Sequence, residues 1–190
     1  MVRDGEAKPA DYSRVTDPGR YAVLHDSAET LLDSLAAQYI VERRESMEPL
    51  DPAGEPVRVI RLIPRTPAAA PLAVAFTDFP GVRLRLGRWY QESLPSCGCD
   101  ACGEQPSDLI AEMYTQVDAL VEGGLWERVR RGVTSSWAET RLIGPDFSSG
   151  RTVPLEARDA RAARRDGFAA PVQWAPWPRR SPKEIVGGDC

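Results

Sequence analysis

The sequence predicts an α+β fold: one antiparallel sheet of five or six strands with two main helices packed on one face, followed by an extended C-terminal segment rich in Pro and Trp. Three observations predict it. Two segments repeat their apolar residues at helical spacing. Short β-branched runs lie between and after them, divided by turn residues. The order is helix, strands, helix, strands, without the strand–helix alternation that winds a parallel sheet.

The first 15 residues are polar and read as a flexible segment, and Thr16-Asp17-Pro18-Gly19 is a turn signal. Asp26 and Glu29 have the spacing of a capping box, and Ala28, Leu31, Leu32, Leu35 and Ala36 then form one apolar stripe that gives way near Gln38. A first strand follows at Tyr39-Ile40-Val41-Glu42-Arg43, before Pro49, Pro52, Gly54 and Pro56 break the chain. Val57 to Ile63 alternates imperfectly, with Arg61 among the apolar residues of one face. Leu72, Val74 and Phe76 alternate with Ala73, Ala75 and Thr77, and Val82, Leu84 and Leu86 with Arg83, Arg85 and Gly87. Asp78-Phe79-Pro80-Gly81 joins the last two tightly, so they are antiparallel.

A second helix is expected from Pro106-Ser107-Asp108 with Ser107 as its cap, an inner stripe of Ile110, Met113, Val117, Leu120 and Val121, and a stop at Gly123-Gly124. Leu125 to Arg131 and Ser136 to Ile143 read as one more hairpin. Asp146 to Gly150 reads as loop, and Leu155 to Asp166 is helical by propensity alone. The prolines around Trp174 and Trp177 forbid a helix there. The expected organisation is therefore a flexible segment over 1–15, one α+β domain over 16–145, and an extension over 146–190 that is docked on the domain or partly mobile.

A chain of 190 residues that is 42% hydrophobic and 27% charged can bury a core without disulfide staples. No apolar run approaches the ~20 residues that cross a bilayer, and the N-terminus lacks the apolar stretch of a signal peptide. The expectation is a cytoplasmic protein with no membrane partner. Net charge is −4, divided between an acidic body of −7 over residues 1–150 and a basic tail of +3. An acidic body disfavours nucleic acid, whose phosphates need a positive surface. A protein partner, met by the acidic body or the Trp-rich end, is compatible with this pattern.

Ser96-Cys97-Gly98-Cys99-Asp100-Ala101-Cys102-Gly103 is the one specific motif. Its CxCxxC spacing lets three thiolates face one tetrahedral zinc or similar soft metal from a tight turn. Three thiols in a reducing compartment cannot all pair with one another, which disfavours a structural disulfide. His25, the only histidine, is the first candidate for a fourth ligand, ahead of Cys190, Asp100 and Glu104. Two other readings stand beside the metal: an inert turn with buried thiols, and a reactive thiolate at Cys99 or Cys102 paired with His25. No nucleophile elbow, zinc-protease, phosphate-loop or dinucleotide motif occurs, and no residue is assigned as catalytic or as binding an organic cofactor. The balance favours a non-enzymatic binding or structural domain with a zinc site at Cys97, Cys99, Cys102 and His25. The alternatives are a thiol-dependent enzyme or redox protein, and an inhibitor-like partner module.

Phe76-Thr77-Asp78-Phe79-Pro80-Gly81, Gly87-Arg88-Trp89 and above all Cys97-Gly98-Cys99-Asp100-Ala101-Cys102 resemble an actinobacterial family catalogued as a domain of unknown function, in which this box precedes an acidic helix and a Gly-Gly pair. The resemblance covers roughly Tyr21 to Ile143. It implies a small cytoplasmic protein of a high-GC bacterium and carries no activity, cofactor or partner.

Overall fold

Helical spacing of the first apolar stripe is realised one turn earlier than the capping signal suggests. In the computed structural model, which describes residues 14–51 and 53–181, a tight 3-10 turn at Pro18–Ala22 runs directly into α1, Val23–Gln38. Tyr21 and Leu24 join Ala28, Leu31, Leu32 and Leu35 in the core. The expected Asp26/Glu29 box does not form: Asp26 lies inside the first turn, and the Glu29 carboxylate instead pairs with Arg43 and Arg58. Residues 1–13, most of the expected flexible segment, and Cys190 lie outside the described residues.

Five strands follow in an antiparallel meander, β1 Val41–Pro49, β2 Pro56–Pro64, β3 Leu72–Thr77, β4 Gly81–Leu86 and β5 Tyr90–Leu94. Ile60, Leu62, Leu72, Val74, Phe76, Val82, Leu84 and Leu86 turn toward α1 and α2, Pro106–Val121. Pro106 itself opens α2 at its first position, where a missing N–H costs nothing, so Ser107 is not the cap. The same core takes Leu125 and Leu142 from a second sheet.

That second sheet contains β6 Leu125–Arg131, β7 Ser136–Ile143, β8 Ser148–Leu155 and β9 Val172–Gln173 in the order β8-β7-β6-β9. The α+β class is as the sequence predicts, but the expected single sheet of five or six strands is two sheets of five and four. Segments missed in the sequence are polar ones. The middle of β5 is Gln91-Glu92-Ser93, and β8 opens with Ser148-Ser149-Gly150, inside the stretch that reads as loop. β5 buries only its end residues Tyr90 and Leu94, and the first half of β8 is polar on both faces, so neither shows a run of apolar alternation. A short helix α3, Ala157–Ala163, packs Ala160 and Ala163 with Phe168 against Val129 of β6.

The C-terminal segment lies along the body. Trp174 N–H bonds Leu125 O at 3.0 Å, Ala175 bridges Ala69, and Arg179 bridges Tyr39. Trp177 is 3% exposed, and its indole donates to Ala70 O at 2.8 Å. Gly123 and Gly124 stop α2 and also make room for this strap and for β7. A Cβ on Gly123, whose φ is +80°, would meet Pro176 N at 2.8 Å, and one on Gly124 would meet Ile143 O at 2.0 Å.

One buried carboxylate joins the two sheets. Glu127 of β6 is fully buried and accepts Arg88 N (3.0 Å) and Trp89 N (2.8 Å) from the β4–β5 turn and the Trp174 indole (2.9 Å) from the strap. Gly87 is required at that turn: its φ is +65°, and a Cβ would stand 2.7 Å from the Glu127 carboxylate. Burial raises the Glu127 pKa above the usual carboxylate range even though these donors pull it down.

Three measurements follow from this packing. Trp177→Ala should lower the unfolding free energy by about 3–5 kcal/mol in urea titration, because it empties a large buried site and strands Ala70 O. Glu127→Ala should cost ~3 kcal/mol by leaving several buried donors without an acceptor. Because the folded Glu127 carboxyl binds its proton more tightly than the unfolded one, its contribution is fully present below about pH 4.3 and is lost as pH rises through the folded value. The stability of wild type relative to Glu127→Gln should therefore fall from pH 4.5 to pH 7.5; a difference that rises with pH refutes this assignment.

Candidate metal centre

The cysteine box spans the handover from β5 to α2, and the backbone there is set by its neighbours. The Glu104 carboxylate closes the loop, accepting Ser96 N (3.0 Å), Ser96 Oγ (2.9 Å), Cys97 N (3.1 Å) and Gly98 N (3.1 Å). Burial pushes its pKa up, but these donors outweigh that and hold it below the ordinary glutamate value. Tyr21 Oη donates to Glu104 O at 3.2 Å, which ties the end of the box to the turn ahead of α1. On the other flank, Asp100 accepts Thr16 N at 2.9 Å and Thr16 Oγ1 at 2.5 Å, while its own N–H donates to Arg14 O at 2.9 Å. Thr16 accordingly lowers the Asp100 pKa.

Gly98, at φ +74°, is the position where only glycine serves. A Cβ there would lie 2.6 Å from the Phe79 ring of the β3–β4 turn, which packs beneath the box and against Tyr21 at 5.9 Å between ring centroids. The Phe79-Pro80-Gly81 turn and the Cys-Gly-Cys run thus form one contact, although 16 residues separate Gly81 from Cys97.

Within this frame the three thiols converge. The Sγ atoms of Cys97, Cys99 and Cys102 all lie within 4.8 Å of one another, and Cys99 Sγ and Cys102 Sγ share a hydrogen bond at 3.3 Å. Cys99 is buried at 2% exposure, and Cys97 and Cys102 are exposed. Sulfurs 2.3 Å from a tetrahedral ion stand about 3.8 Å from each other, so small side-chain adjustments convert this cluster to a metal-binding triangle. The thiols already perturb one another. Hydrogen bonds from Cys97 and Cys102 lower the Cys99 pKa, and Cys102, donor-bonded to Cys99 and near Cys97, is pushed up to about 12. Deprotonating all three sulfurs at this spacing would set up strong repulsion, which a divalent cation relieves.

The other predicted ligands are placed differently. Among the described residues the cluster that could hold an ion consists of the three cysteines alone. His25 Nε2 is 2.8 Å from Gly81 O, and its ring packs edge-on against Phe76 at 5.3 Å. Asp100 and Glu104, also considered as ligands, are braces of the loop, and Cys190 lies outside the described residues. Sequence reasoning found the three thiols and missed the roles of Tyr21, Phe79 and Thr16, because each acts from more than 15 residues away and no local spacing announces it.

Two antiparallel sheets, helices on one face of the larger, and a tri-cysteine loop at a strand-to-helix junction define an α+β protein with a candidate soft-metal centre. The chain belongs to a family of unknown function, DUF6226, whose model matches residues 2–181. No curated protein and no solved structure matches it.

Removing the brace tests the role given to Glu104. In Glu104→Ala, three backbone donors of the box lose their acceptor, so the melting transition should drop by about 1–3 kcal/mol equivalent. Alkylation of the buried Cys99 thiol, followed by mass spectrometry, should speed up severalfold; unchanged labelling would show that the loop is held by other contacts.

Proposed function

We propose that this chain is a non-enzymatic binding or structural domain whose Cys97, Cys99 and Cys102 hold one zinc ion that locks the β5–α2 junction. The observation that carries the reading is the convergence of three Sγ atoms within 4.8 Å in a loop prebuilt by Glu104, Asp100 and Gly98. Thiolate sulfur is the donor that zinc prefers in closed structural sites. The exposed Cys97 and Cys102 give the ion an entry path, and the buried Cys99 gives it an anchor. His25 completes the set only by turning away from the Gly81 carbonyl through its Nε2, or by ligating through Nδ1; otherwise the fourth position falls to a water or to Cys190.

The metal reading is favoured over a thiol-dependent enzyme by the histidine. A nucleophilic thiol needs a base in hydrogen-bond reach, and among the described residues the His25 ring bonds Gly81 O and packs on Phe76, with no hydrogen bond to any of the three sulfurs. The fold has a large core of its own, so the ion reinforces one junction and is not the sole source of stability.

Elemental analysis of the purified full chain should give close to one zinc per molecule, falling below a tenth in Cys99→Ala. Chelator treatment should lower the melting temperature of the wild type and leave that of Cys99→Ala unchanged. Metal-free wild-type protein that gains no stability from added zinc would overturn the proposal.

A further inference from the structure

The second face of the five-stranded sheet, turned away from α1 and α2, carries a pattern of its own. Register pairs Arg61 of β2 with Ala73 of β3 and Ala73 with Arg85 of β4, so two arginines stand two strands apart, roughly 10 Å, with only a methyl group between them. The next row repeats the motif in weaker form, with Val59, Ala75 and Arg83. Alanines in the central strand therefore leave a trough floored by small side chains and flanked by guanidinium groups.

At the end of this trough nearest the β4–β5 turn lies a cavity of about 440 Å³, within the range of small-molecule sites, roughly 300–1,000 Å³. Ile63, Pro71 and Ala73 form its floor, and Trp174 of the strap and Phe168 form its far wall. Arg61, Arg85 and Arg88 supply its charge. A smaller cavity of about 110 Å³ shares Arg61, Ala73 and Arg85 with it and is lined also by Arg83, Gln91 and Glu48.

The charges do not cancel. The Arg61 guanidinium forks onto both oxygens of Glu48, with Nη2 to Oε2 at 2.6 Å. Arg88 pairs with Asp166 at 2.8 Å and lies over the Trp89 and Phe168 rings. Arg85 is different: among the described residues no side chain forms a hydrogen bond or ion pair with it, and Glu48, the carboxylate whose field it feels, is already held by Arg61 and Ser46. Arg85 is exposed on this face of the sheet and stands beside the like charge of Arg61. A cation in that position gains most from an anion that brings its own apolar body to the wall opposite.

The geometry points to a binding site for a small organic anion, its carboxylate or phosphate on Arg85 and its planar or aliphatic body between Ala73, Pro71, Phe168 and Trp174. Arg61, held by Glu48, flanks the acid group on the other side of Ala73, which sets the width of the slot. The site is independent of the cysteine box, so its test does not depend on bound zinc.

Titration of the full chain with anilinonaphthalene sulfonate, an aromatic anion, and with phenylnaphthylamine, its neutral counterpart, reads the site through fluorescence. Wild type should bind the anion at one site, at least tenfold more tightly than the neutral compound at low salt. Arg85→Gln should weaken anion binding about tenfold and leave the neutral compound unaffected, with an unchanged melting temperature because Arg85 has no partner to lose. Ala73→Leu should weaken both by filling the slot. Displacement of the probe by naphthoate or by naphthyl phosphate supports the site and assigns the acid group, and displacement by neither overturns it. Anion binding by Arg85→Gln within twofold of wild type also overturns it.

Discussion

A polar group sealed from water must be met by hydrogen-bond partners, and the architecture is organised around satisfying that demand at Glu127. Its carboxyl oxygens sit on the second sheet, while their donors come from the turn of the first sheet and from the C-terminal strap. Moving either sheet relative to the other leaves buried polar atoms without partners, which is costlier than sliding one apolar surface over another. The contact therefore sets the relative placement of two sheets that share no strand pairing. It explains Gly87-Arg88-Trp89 as a unit: glycine for the positive φ and the close carboxylate, then two consecutive N–H groups pointed at it.

The helix α2 is held at both ends by comparable means. Ahead of its first turn, Glu104 gathers the backbone of the cysteine box, and beyond its last turn Gly123-Gly124 admits the strap and β7 at backbone contact distance. Between these ends the helix contributes Leu109, Met113, Val117, Leu120 and Val121 to the core. The order that Glu104 imposes on the loop fixes the direction in which the whole apolar stripe meets the sheet.

Local patterns carried much of this. The stripes of α1 and α2, the β3–β4 hairpin with its Pro-Gly turn, and the three clustered thiols are legible because each depends on residues a few positions apart. The division into two sheets is not, since it rests on pairing across tens of residues and on strands such as β8 whose alternation is polar against polar. Glu127 is illegible for a related reason. In sequence it is one of three charged residues in Glu127-Arg128-Val129-Arg130, and only the register with β7 turns it inward with Leu125 and Val129 while Arg128 and Arg130 meet Glu139 outside. Arg61 interrupting an apolar face reads as an imperfection of β2 until the neighbouring strands place Ala73 and Arg85 beside it.

The strands separate the two chemically distinctive regions. In the β3–β4 hairpin, the Phe79 turn that supports the cysteine box lies at one end, and Pro71 and Gly87 at the mouth of the arginine-lined cavity lie at the other. Arg85 pairs with Ala73, four residues of extended chain from the Thr77–Gly81 end and so roughly 13 Å from it, beyond the direct reach of a thiolate at that end. The two regions are thus joined only through the sheet: the Phe79 turn meets the cysteine box at one end of β3 and β4, and Glu127 meets Gly87-Arg88-Trp89 at the other.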